Sequence, residues 1–176
     1  MPLQIHVLHW FYQKVILILV FLLGDTPSKI VSKVNRKYSC PKLGVFGNHC
    51  HPSNFDDTEV MNIHENIVRI KGLTIAGFGG APKYKDKLFG QHTEEEAAAF
   101  VTQIYQQNID ILITHSNPAY ENMTLDHAHR GFTSFNTLIN NNKINHLFHG
   151  HLHDPFTKNI NEITIHSVYP FIETEI

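Results

Sequence analysis

The chain has 176 residues, a formal net charge of -2 at pH 7, and 42% hydrophobic residues. That bounds one domain of ordinary size with apolar side chains enough for a core. It also lacks the basic footprint that phosphate-backbone binders carry, so no specific nucleic-acid docking is expected. Cys40 and Cys50 are the only cysteines. They are too few for a disulfide framework, which points to a reducing, cytoplasmic setting, and with His51 they match no zinc-finger spacing.

Val15 to Leu23 is the most apolar run, preceded by Lys14 and followed by Gly24-Asp25. It is too short for a bilayer, which needs ~20 apolar residues, so no membrane span is expected. A signal segment is disfavoured because no small-x-small cleavage site follows. The run reads as a strand buried on both faces, with Asp25 just past its C-terminal edge, where open α/β sheets place ligands. Thr26-Pro27-Ser28 starts a helix through Asn35, and Leu43 to Phe46 is a second short strand running into Gly47-Asn48-His49-Cys50.

Ile67 to Ile70 and Leu73 to Gly77 form a hairpin through Lys71-Gly72. The glycine-rich stretch from Gly77 to Pro82 has no lysine of the phosphate-loop type and reads as a plain loop. Thr93-Glu94-Glu95-Glu96 is a capping box opening a helix with Ala97, Phe100, Val101, Ile104 and Tyr105 inward; acidic residues suit a first helical turn, so these glutamates are expected in solvent. Ile109 to Thr114 is another buried strand, ending at His115-Ser116-Asn117-Pro118. A second amphipathic helix follows, with Phe132, Phe135, Leu138 and Ile139 inward. His146 to His149 is a strand leading into Gly150-His151-Leu152-His153-Asp154, and strands from Glu162 to Val168 and Phe171 to Glu175 close the chain.

The histidine loop reads as metal-binding. Imidazole nitrogen suits transition metals, and Gly150 is expected to allow the tight turn that brings His151 and His153 to neighbouring coordination positions. In all, four apolar strands deliver polar groups at their C-terminal ends: Asp25, Asn48 with His49, His115, and His151 with His153. This mixed oxygen and nitrogen set suits Mn, Fe, Zn or Co better than Ca or Mg. In this order the motifs resemble the calcineurin-like metallophosphoesterase family, whose signature runs D-x-H, G-D, G-N-H-D/E, a strand-terminal histidine, and G-H-x-H. Gly24-Asp25, Gly47-Asn48-His49, Thr114-His115 and Gly150-His151-Leu152-His153 carry the resemblance, from about Val15 onward.

The resemblance implies an α/β fold of two packed mixed β-sheets flanked by helices, four layers in all. It implies a single domain over residues 1–176, with 1–14 a divergent or truncated N-terminal remnant. It further implies a hydrolase that cleaves a small phosphoester, mono- or diester, with a metal-activated water, and up to two divalent ions that neutralise the phosphate and orient the nucleophile. By motif, Asp25 bridges the ions, Asn48, His115 and His151 complete one, and His153 binds the other. His49 matches the family histidine that touches the phosphoryl oxygen and protonates the leaving group.

Two departures stand out. Cys50 follows His49 where the family commonly has a carboxylate, and no D-x-H precedes Asp25, the N-terminal segment offering only His6 and His9. One ion is therefore expected to bind weakly, and a degenerate, non-catalytic scaffold or binding module is the alternative reading. His51, His64, His92, His127, His129, His146 and His166 match no ligand position and are expected to be surface or satisfied core. His149 is expected to point near the site, and Asp126 and Asp154 to serve as acceptors for ligand imidazoles.

Overall fold

The computed structural model describes residues 5–12, 15–86, 89–121 and 126–176, with side chains from residue 19 onward. In chain order the elements are β1 (Ile5–Tyr12), β2 (Val15–Leu23), α1 (Ser28–Lys37), β3 (Lys42–Val45), a 3-10 turn (Pro52–Phe55), β4 (Val60–Asn62), β5 (Asn66–Ile70), β6 (Leu73–Phe78) and β7 (Ala81–Pro82). There follow β8 (Gln91–His92), α2 (Glu94–Ile104), β9 (Ile109–Thr114), α3 (Phe135–Asn140), β10 (Ile144–His149), β11 (Phe156–Ile160), β12 (Ile163–Ser167) and β13 (Phe171–Glu175).

One sheet runs β13-β1-β2-β3-β4 and the other β11-β12-β10-β9-β6-β5. Within the first, β2, β3 and β4 are parallel; within the second, β6, β9, β10 and β12 are. Parallel neighbours need crossovers, and α1, α2 and α3 supply them between β2 and β3, β6 and β9, and β9 and β10. All these strands therefore deliver their C-terminal ends to the same end of their own sheet.

From Leu19 to Leu23 the apolar run of β2 is unbroken because both of its faces are covered. Leu19, Phe21 and Leu23 face the second sheet, where they meet Ile75, Ile113 and Phe148. Val20 and Leu22 face the other way, onto Val31 and Val34 of α1 and Phe55. Phe78, Phe100, Phe135 and Leu147 fill a third layer of packing between the second sheet and α2 with α3. Burying such side chains contributes on the order of 1.5–3 kcal/mol each. The four-layer arrangement expected from the motifs is the one found.

The β5–β6 hairpin turns through Lys71 and Gly72, both at positive φ (51° and 89°), as a tight two-residue turn requires. The capping box at Thr93 and Glu96 is present. Glu94, however, is not a solvated residue: its carboxylate accepts the backbone N–H groups of Thr133 (3.0 Å) and Ser134 (2.6 Å), just ahead of α3. That helix is shorter than the apolar periodicity suggests, because Phe132 is buried from the preceding loop. The stretch from Gly77 to Pro82 is not wholly loop either, since Ala81–Pro82 pairs with β8.

Strand β1 occupies the position beside β2 but runs antiparallel to it, with His6 opposite Phe21 and His9 opposite Ile18. It carries no carboxylate. The side chains of His6 and His9, the conceivable replacements for D-x-H, lie outside the described residues. Among the described residues no helix is long and apolar enough to cross a membrane, and Cys40 and Cys50 are both free thiols.

Candidate metal centre

The site forms where the loops after β2, β3, β9 and β10 meet. Gly24 (φ 85°) turns the chain out of β2, and a Cβ there would lie 2.5 Å from His115 Nδ1 and 2.6 Å from the Gly47 nitrogen. Only glycine permits that approach. Asp25 follows at φ 50°, and a Cβ on Gly47 would collide with its carboxylate. The two loops are further joined through Cys50, whose Sγ accepts the N–H groups of Asp25 and Gly47, each at 3.2 Å. Burial raises its pKa, so it stays a thiol. The sulfur standing where the family commonly has a carboxylate thus serves the backbone.

Asp25 accepts the His49 N–H on Oδ1 at 2.8 Å, and its Oδ2 lies 3.4 Å from His115 Nε2. Asn48 Oδ1 is 2.9 Å from the same nitrogen, while its Nδ2 donates to the Tyr84 hydroxyl at 3.3 Å. On its other side His115 Nδ1 is 2.7 Å from the Leu23 carbonyl. A carbonyl only accepts, so Nδ1 carries its proton there. Nε2 then faces the Asp25 and Asn48 oxygens, and a cation seated among the three would take one lone pair from each.

His151 repeats the pattern. Its Nε2 lies 2.8 Å from the Ala128 carbonyl, leaving Nδ1 as the free donor atom. Burial first, and the neighbouring His115 second, push its pKa down to about 2, so the ring is neutral, as a ligand must be. Ligand atoms of Asp25, His115 and His151 all lie within 4.8 Å of one another. Two opposed bonds of ~2.0–2.2 Å span about 4.0–4.4 Å. Closure by a few tenths of an ångström brings the group onto one ion, so the donor set fits a borderline divalent metal.

The turn that presents His151 differs from expectation. Gly150 is not the residue at positive φ; His151 (φ 68°) and His153 (φ 56°) are. Each left-handed non-glycine residue costs roughly 1–2 kcal/mol. The bonds from Gly150 N to the His115 carbonyl (3.1 Å) and from Leu152 N to the Gly150 carbonyl (2.8 Å) help hold them. Backbone strain of this kind concentrates at functional positions.

His153 is exposed, with its ring stacked on Tyr169 at 4.6 Å. Burial lowers its pKa, Asp25 raises it, and the charges of His129, His115 and His49 lower it, which sets it at the edge of the same cluster. The His49 imidazole is exposed as well. His149, by contrast, turns away from the cluster: its Nε2 is 2.7 Å from the Tyr120 hydroxyl, and its ring lies against Tyr120 and Phe156. Asp126 bonds to His129 instead of a ligand imidazole, and it is the Asp154 backbone carbonyl that is engaged, by Ser167. The acceptors that orient His115 and His151 are backbone carbonyls, which no residue type announces. Tyr84 gave no sequence signal either.

No family model matches the chain. It is 29% identical over 145 residues to a probable cyclic nucleotide phosphodiesterase of Pseudoalteromonas sp. (strain SM9913), an alignment covering 76% of this chain and 51% of that protein. The chain thus spans about half the length of this curated relative. Among solved structures, TT1561 of Thermus thermophilus superposes with a TM-score of 0.62 at 12% identity, covering 94% of this chain and 88% of that one. A Staphylococcus aureus protein assigned as a 5'-nucleotidase superposes with a TM-score of 0.52 at 14% identity, over 80% of this chain and 34% of that one. At such identities the structural likenesses speak for the fold. The two-sheet fold is shared with these solved structures, and the order of the motifs resembles that of the calcineurin-like metallophosphoesterases.

Proposed function

We propose that the chain hydrolyses a small phosphoester at a divalent-metal centre held by Asp25, Asn48, His115, His151 and His153. The observation that carries this reading is the convergence of Asp25 Oδ2, Asn48 Oδ1 and His115 Nε2, at 3.4 and 2.9 Å, with His115 already committed through Nδ1 to a carbonyl. Bound divalent ions (Mn, Fe, Zn or Co, up to two) supply Lewis acidity and an activated water.

The protein's own groups do the rest. Asp25, with one oxygen toward His115 and the other on the His49 amide, is placed to serve both ions. His49, exposed beside it, is free to turn onto the substrate and donate a proton to the leaving oxygen, worth roughly a hundredfold. Tyr84, accepting from Asn48, keeps that amide's oxygen aimed inward and leaves its own O–H to donate to a phosphoryl oxygen. The curated relative's name directs the substrate class toward cyclic nucleotides, a diester. A cytoplasmic location accords with the two free thiols.

The two ion positions would be unequal: Asp25, Asn48, His115 and His151 would hold one, while the other would have Asp25 and the exposed His153. One ion should therefore survive dialysis and the second bind only in excess. The absence of a carboxylate on β1 favours the second reading, a scaffold that binds metal without turnover. Elemental analysis after dialysis, beside assays with an aryl phosphate monoester, an aryl diester and a cyclic nucleotide, separates them. Hydrolysis rising with added metal supports the enzyme, retained metal without turnover supports the scaffold, and no metal bound at any concentration sinks both.

A further inference from the structure

His149 has no place among the proposed ligands, yet its contacts lead to one of them. It closes β10 and is fully buried. Both ring nitrogens are engaged: Nε2 lies 2.7 Å from the Tyr120 hydroxyl and Nδ1 lies 3.0 Å from the Gly150 carbonyl. A carbonyl only accepts, so Nδ1 carries the proton and the neutral ring takes the Tyr120 O–H on Nε2. Burial pushes the Tyr120 phenol's pKa up, which keeps that donor protonated. The other tautomer would set a lone pair of Nδ1 against the carbonyl oxygen, leaving two buried acceptors unsatisfied.

The Gly150 carbonyl belongs to the peptide bond from which His151 hangs. That unit is planar, so the direction of the carbonyl sets the plane on which the left-handed backbone of His151 (φ 68°) is built. Rotating the plane would swing the His151 ring. Two donors hold the carbonyl, the Leu152 N–H at 2.8 Å and the His149 imidazole. The Leu152 bond lies within the turn itself. The His149 bond reaches a different loop, because Tyr120 stands in the segment after β9 that begins at His115. Tyr120 is itself pinned, with Lys158 Nζ 3.8 Å over its ring and Phe156 edge-on at 5.9 Å.

We propose that Tyr120 and His149 are a buried positioning pair for the metal centre: Tyr120 donates to His149, and His149 holds the Gly150 carbonyl so that His151 is presented to the ion. Neither residue touches the ion or the substrate. This rests on the metal-centre reading above, and the test keeps the two apart. Metal-free protein is titrated with Zn(II) by calorimetry and unfolded in urea, for the parent, His149→Phe, His149→Asn, Tyr120→Phe and Phe135→Leu. Asparagine sets an amide N–H near the place of Nδ1, whereas Phe135 is a buried core residue whose ring packs on Phe78 and Phe132.

The expected result is a fall of about tenfold in affinity for the tighter ion in His149→Phe, the size of effect that indirect partners of a ligand have. A several-fold fall is expected in Tyr120→Phe, and His149→Asn should stay close to the parent. Phe135→Leu should lose stability in urea and still bind zinc as the parent does. Parental affinity in either His149→Phe or Tyr120→Phe overturns the inference while leaving the centre standing. An equal fall in Phe135→Leu, or His149→Asn as weak as His149→Phe, also overturns it and makes the pair a packing element. Should His149→Phe fail to fold, Tyr120→Phe, which removes one oxygen, decides. A parent that binds no zinc overturns the metal-centre reading and this inference with it.

Discussion

The two halves of the site are built differently. In one, Asn48, His115 and His151 are buried, and each has one polar atom fixed by a protein partner: the Tyr84 hydroxyl, the Leu23 carbonyl and the Ala128 carbonyl. In the other, His49 and His153 are exposed, and His153 is steadied by a ring stack on Tyr169. Asp25 belongs to both. Preorganised ligands give affinity because little ordering remains when the ion arrives. Exposed ones leave room for a substrate and its leaving group. On the proposed function, the first half would retain an ion and the second would adapt to a substrate.

The largest effect should come from the residue common to both halves. Asp25→Asn removes the centre's negative charge and should lower hydrolysis about 100-fold or more, with loss of metal on dialysis, since even indirect partners of a ligand are worth 10–100-fold. Full activity in that variant at limiting metal would show that the carboxylate is no ligand. Metal content and turnover are measured on the same preparation.

Buried histidines outside the metal centre should also make stability depend on pH. His149 lies wholly inside, and burial, the largest cause, lowers its pKa from 6.5 to about 4. Burial likewise lowers His166, to about 4. The unfolded chain then binds protons that the folded one refuses, so stability is full above the unfolded pKa and falls as pH drops from about 6.5 toward 4. His149 alone should cost about 2 kcal/mol between pH 7 and pH 5. Urea unfolding of the metal-free parent and of His149→Phe at these two values isolates its share, and the same pH dependence in both proteins would mean that His149 is solvated.

A smaller effect sharpens the contrast from within the ordered half. Tyr84→Phe deletes the acceptor for Asn48 Nδ2 and should weaken the retained ion about tenfold without unfolding the protein. Equal affinity in the two proteins would show that the amide holds its orientation unaided.

Much of this was legible in the residues. The β2 run, the Lys71-Gly72 turn, the capping box at Thr93 and the strand at Ile109–Thr114 all rest on local signals that the packing did not override. The convergence of Asp25, Asn48, His115 and His151 followed from motif order. What stayed hidden depends on three-dimensional placement. The partners of His115 and His151 are main-chain carbonyls, Cys50 bonds to amides of two separate loops, and His149 and His151, two residues apart, face different ways because the strand ends between them. β11, with its alternating half-exposed pattern, carries too little apolar signal to be read as a strand.

The bond from His115 to Leu23 closes over 92 positions of chain, and that from His115 to Asn48 over 67. Contacts of such separation form late, once most of the chain's loop-closure entropy has been lost. The unfolded chain offers no assembled ligand set, so added metal has little to hold until both sheets are together. A divalent ion should therefore leave the refolding rate nearly unchanged and slow unfolding instead, acting as a kinetic latch on the finished structure.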